Sequence, residues 1–133
     1  MDRAASPPPA LVRASYWLPP LAMAAIIFLA SSRSVPHFVP RFPYSDKILH
    51  FGVYLSLSGF VARALAATTS LAPRRAFLIA VAAALAYGIL DEIHQSFVPS
   101  RTADVFDAMT DGFGGVAGTV VHRWWLALRP RRR

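Results

Sequence analysis

Carboxylates and imidazoles recur at helical spacing in three separate stretches of an otherwise apolar chain. Asp46, His50 and Tyr54 stand four residues apart, so a helix puts them on one face, with Lys47 beside them. Asp91, His94 and Gln95 occupy one side of the last turns of a second helix. Glu92 lies about 100° round from Asp91 and is three residues from Gln95. Asp104, Asp107 and Asp111 step by three and four, and the stripe continues through Gly114 and Gly118. The glycines let a neighbouring backbone approach closely just below the acids.

These residue types can do several kinds of chemistry. His50, Glu92, Asp107 and Asp111 suit general acid–base catalysis on a buried phosphoester or amide. With Asp46 they also offer oxygen and imidazole donors to a divalent cation. Lys47 and Arg101 supply positive charge for a phosphate, and the guanidinium fork suits bidentate recognition. No HExxH, GxSxG or P-loop pattern accompanies them, so no named reaction and no cofactor follows. The bland alternative is that they hold helices together by interhelical hydrogen bonds, each worth about 1 kcal/mol. Asp104 reads most simply as the N-cap of the last helix, with Arg101 free to pair with Glu92, Asp107 or an anionic headgroup. Tyr54 reads as an interhelical hydrogen bond, and His37 and His94 as interfacial residues.

Four apolar blocks must position this set: Ala14–Ser32, about Ile48–Ala67, Ala76 to about Phe97, and about Asp104–Leu128. The first is uncharged and long enough to cross a hydrocarbon core, with Tyr16 and Trp17 at its start. Pro19 and Pro20 make a helix start there natural. A cleaved signal peptide ending at Ala30-Ser31-Ser32 is the lesser alternative, because the apolar run exceeds the usual h-region. Residues 1–13 read as a disordered tail, 14–128 as one membrane domain, and 129–133 as a basic tail. The fold class expected is all-α: four transmembrane helices in a compact bundle.

Composition agrees. Of 133 residues, 55% are hydrophobic and only 16% charged, against a typical charged share of about 25%. That excludes an ordinary soluble globule, and the apolar content excludes disorder. The absence of Cys removes disulfides, thiol nucleophiles and thiolate-bound zinc. The net charge of +7 reads as contact with anionic headgroups rather than with nucleic acid. With four spans, Arg3, Arg13, Arg63, Arg74, Arg75, Arg123, Arg129, Arg131, Arg132 and Arg133 share a side. Only Arg33, Arg41, Lys47 and Arg101 lie opposite. The positive-inside rule then puts both termini in the cytoplasm of a bacterial inner membrane and the acids at the outer face. Trp124 and Trp125 with Arg123 and Arg129 form an inner-leaflet anchor.

The run Asp46-Lys47-x-x-His50-x-x-x-Tyr54, then Asp91-Glu92-x-x-Gln95-x-Phe97-x-Pro99-x-Arg101-x-x-Asp104-x-x-Asp107-x-x-x-Asp111-x-x-Gly114-x-x-x-Gly118, resembles the VanZ-like family of small bacterial membrane proteins. The resemblance spans Asp46 to Gly118. One departure is Asp111, where relatives more often carry Asn; an acid there adds a charge or a metal ligand, or is simply protonated. The resemblance implies a compact multi-helix membrane domain. It also implies a possible link to glycopeptide resistance, since the founding member is associated with low-level teicoplanin resistance.

The expected function is binding of an envelope lipid or lipid-linked cell-wall precursor in a polar pocket on the extracytoplasmic side. Asp46, Lys47, His50, Tyr54, Asp91, Glu92, Gln95, Arg101, Asp104, Asp107 and Asp111 are its candidate ligand-binding residues. The alternatives are an intramembrane acid–base or metal-dependent enzyme acting on a lipid-linked substrate, and a non-catalytic structural protein.

Overall fold

The computed structural model describes residues 9–33, 42–99 and 101–129. The described residues form five helices and no strand: α1 (Ala10–Ser15), α2 (Leu18–Ser31), α3 (Ser45–Thr68), α4 (Pro73–Gln95) and α5 (Val105–Leu128). The expected disorder of residues 1–8, the interfacial place of His37 and the basic run of residues 131–133 lie outside the described residues.

Local sequence explains the breaks. Pro19 and Pro20 have no N–H to return to the preceding turn, so α1 stops and α2 restarts at Leu18. Pro73 opens α4 at a position where a missing donor costs nothing. The Asp104 carboxylate accepts from Phe106 N–H at 2.8 Å and caps α5, as its sequence position implies. One boundary is corrected: Ala10–Arg13, expected within the tail, are helical. Ala10, Leu11 and Ala14 are good helix formers, and Arg13 Nη2 donates to Thr68 O at 2.9 Å.

α2 and α4 run in one direction, α3 and α5 in the other, so the acidic ends of α3, α4 and α5 meet beside the C-terminus of α2. The opposite end is basic. There Arg63 lies over the Tyr16 ring at 5.4 Å and Arg129 over Trp125 at 3.5 Å.

α3 and α5 pack most closely, and glycines are the reason. A Cβ on Gly114 would stand 2.5 Å from Phe51 O, and one on Gly118 would overlap Leu55 O and Ser58. The small-residue stripe read from the sequence therefore faces α3. Apolar contacts fill the middle: Ile27, Tyr54, Leu57 and Ala84 form one buried cluster, and Ala62, Leu65, Ala76 and Ala80 another nearer the basic end.

The distribution of polarity is inverted relative to a water-soluble protein. Asp111, Ser58 and Thr119 are fully buried, whereas Leu21, Ile26, Leu78, Phe113 and Trp124 are exposed. Polar groups gather inside and bulky apolar ones face outward, as an apolar solvent requires. Three helical segments, Ala10–Ser31, Ser45–Thr68 and Pro73–Gln95, are long and apolar enough to cross a membrane. α5 matches them in length but is interrupted by Asp107, Asp111, His122 and Arg123.

Candidate functional site: a buried polar cluster at the acidic end

The first turns of α3 carry Asp46, Lys47 and His50; the last turns of α4 carry Asp91, Glu92 and Gln95; the first turns of α5 carry Asp107 and Asp111. Antiparallel packing brings these three segments together. Lys47 Nζ lies at the centre and donates to Asp107 Oδ1 at 2.8 Å and to Asp104 Oδ2 at 2.9 Å. A longer bond, 3.4 Å, reaches Asp46 Oδ2, whose side chain is 60% exposed and sits at the rim. The Lys47 ammonium, with the Phe106 N–H, holds the Asp104 carboxyl below the usual carboxylate range.

One turn deeper, His50 Nδ1 lies 2.9 Å from Asp111 Oδ1. A carboxylate accepts, so the bond assigns the ring proton to Nδ1 and leaves Nε2 as the acceptor. Asp111 is completely buried and packs on Gly88: a Cβ there would meet Asp111 Oδ2 at 2.7 Å. Glu92 Oε2 accepts from the Asp104 backbone N–H at 2.7 Å, tying the end of α4 to the start of α5.

A second group faces α2. The Asp91 Oδ2 atom accepts from Ser31 Oγ at 2.9 Å and from Gln95 Nε2 at 3.0 Å, all buried. Gln95 thus pairs with Asp91, one turn back, rather than with Glu92. Nearby, Ser32 Oγ donates to Phe28 O and accepts from His94 Nε2 at 2.9 Å. His94 is half-buried. Ser31 and Ser32 were not foreseen in this role. The available signal was Ser31 standing four residues after Ile27, on the same inward face.

Two expected partnerships are not formed. Arg101 contacts neither Glu92 nor Asp107; its Nε donates to Arg33 O at 2.9 Å and its Nη2 to Ala30 O at 3.0 Å, capping the end of α2. Unsatisfied carbonyls at a helix C-terminus carry partial negative charge and accept from a cation. Tyr54 makes no interhelical hydrogen bond. Its ring lies parallel to His50, centroids 6.3 Å apart, and its hydroxyl is buried without a partner.

Two further atoms share that condition: Glu92 Oε1 and Asp111 Oδ2. His50, Glu92 and Asp107 each place a potential ligand atom within 4.8 Å of the others, a spacing a metal ion can bridge. Beside them an apolar groove of about 370 Å³ opens between α4 and α5. Ile89, Ile93, Val105 and Ala108 form its wall, and Glu92 and Asp104 its polar edge.

Apolar-faced helices around a buried, hydrogen-bonded polar cluster define an all-helical membrane protein whose ionisable chemistry is concentrated at one end. The particular family follows from comparison: the model of the VanZ/LLP1 family matches residues 10–126, from the first residue of α1 into the last turn of α5. The chain belongs to the VanZ/LLP1 family. No curated protein and no solved structure matches it.

Proposed function

We propose that this protein binds an envelope lipid or a lipid-linked cell-wall precursor at the acidic end of the bundle, from the outer side of a bacterial inner membrane. The carrying observation is the groove between α4 and α5, where an apolar wall meets Glu92 and Asp104. That pairing suits an amphiphile: acyl or prenyl chain along Ile89, Ile93 and Val105, polar head toward the carboxylates. Headgroup hydroxyl or amino donors meet Glu92, and a phosphate comes nearest to Lys47, already held among acids. Arg101 contributes indirectly, by fixing the loop against α2.

In this reading α5 crosses the membrane as the fourth span. It is 24 residues long, and its polar residues Asp107, Asp111, Thr119 and His122 are turned inward. Both termini then lie in the cytoplasm, where the basic end meets anionic headgroups. Glycopeptides act on outward-facing precursors, so teicoplanin sensitivity is the phenotype to assay alongside binding.

The test is native mass spectrometry of the protein purified in mild detergent. Wild type and Ile79→Trp, a change on the outward face, retain a co-purifying amphiphile; Ala108→Trp, which fills the groove, loses it. Equal retention in all three refutes groove binding. The chain has no Cys, so single cysteines report sidedness. Thr102→Cys reacts with an impermeant maleimide on intact cells and Ser70→Cys does not; the reverse pattern overturns the orientation.

A further inference from the structure

We infer that His50, Glu92 and Asp107 form a binding site for one divalent first-row transition-metal ion of the zinc type. This site stands on its own geometry and does not depend on lipid binding.

Four observations carry it. The three side chains come from three different helices, yet their ligand atoms converge within 4.8 Å. His50 holds the tautomer of a metal-bound histidine: Nδ1–H is held by the Asp111 carboxylate at 2.9 Å, which leaves the Nε2 lone pair as the donor. A carboxylate that accepts from the far nitrogen of a coordinating imidazole fixes its tautomer and raises its basicity. Glu92 is 93% buried by its 7% relative exposure, and its Oε1 has no hydrogen-bond partner among the described residues. A buried carboxylate oxygen left bare is costly, and a cation removes that cost. Finally, acids outnumber cations locally. Among the described residues, Asp104, Asp107, Asp111 and Glu92 face one ammonium, Lys47, which bonds Asp107 through Oδ1.

The donor set selects the ion. One imidazole with two carboxylates suits zinc or manganese better than magnesium or calcium, which favour all-oxygen shells. Three protein ligands leave a coordination position for water or for an oxygen of a bound molecule.

The test uses full-length protein carrying a tag without histidine, stripped with EDTA and dialysed. Isothermal titration with Zn²⁺ gives one equivalent bound by wild type. Glu92→Gln and His50→Gln lose that equivalent, Asp111→Asn binds about 10–100-fold more weakly, and His122→Gln, at the basic end beside Arg63 and Arg129, binds as wild type does. Circular dichroism of each metal-free variant checks its helix content. X-ray absorption on zinc-loaded wild type provides a readout that needs no variant to fold: one imidazole among nitrogen and oxygen ligands is expected. Absence of a stoichiometric site in wild type, absence of imidazole scattering, or unchanged binding by a folded Glu92→Gln variant overturns the inference.

Discussion

Replacing Gly114 by alanine tests whether the close α3–α5 contact positions the cluster. The added Cβ would stand 2.5 Å from Phe51 O and 3.1 Å from Leu55 N. A relaxed carbon–oxygen contact is about 3.3–3.6 Å, so the helices must part locally by about 1 Å. The obstacle is backbone, which no rotamer change can clear. Overpacking of this kind costs about 1–3 kcal/mol. One turn toward the acidic end, the same displacement stretches the His50–Asp111 and Lys47–Asp107 bonds, now 2.9 and 2.8 Å. Interhelical polar contacts in membranes add about 0.6–2 kcal/mol each. Alanine returns about 1 kcal/mol of helix propensity. The net expectation for Gly114→Ala is a loss of about 1–6 kcal/mol. Gly52→Ala is the matched control: it lies on α3, and its Cβ would have nothing within 4 Å. Gly52→Ala is neutral or stabilising by up to about 1 kcal/mol. The assay is reversible unfolding in mixed micelles, followed by helical circular dichroism. Equal stabilities for the two variants refute the reasoning.

Two other outcomes follow. Ser31→Ala removes the buried bond from α2 to Asp91 and lowers stability by about 1 kcal/mol, whereas Ser15→Ala, at an exposed position bonded only to Val12 O, leaves the thermal midpoint unchanged. The lowered Asp104 carboxyl makes stability pH-dependent in a defined sense: its contribution is complete above the ordinary carboxylate value of 3.8 and is lost as pH falls below it. Thermal melts across that range show an extra acid-side loss in wild type that Asp104→Asn lacks; parallel profiles contradict the Lys47–Asp104 pairing.

Much of this architecture is legible in the residues. Period and apolar length place α3, α4 and α5 to within a few positions, because a helix in lipid must be nearly continuous in apolar character. Convergence of the three acidic stretches also follows from spacing, since antiparallel helices joined by short connections return their polar turns to one end. What the sequence does not disclose is who bonds whom. Asp91 could face α2 or the other acids; the answer depends on helix rotation, which Gly114, Gly118 and Gly88 set through contacts with Phe51, Leu55 and Asp111. Arg101 is a similar case. Its charge complements the carboxylates, yet the free carbonyls at the end of α2 claim it, and helix ends carry no mark in composition. Ser31 is small and uncharged, so only its register on an inward face betrays it.

The hold on α2 has a consequence for biogenesis. Among the described residues, its side-chain bonds to other elements come from Tyr87, Asp91, His94 and Arg101, sixty to seventy-one positions downstream. α2 is therefore synthesised well before any of these polar partners. A nascent chain arrested after α3 would have inserted α2 while each of these latches was still untranslated.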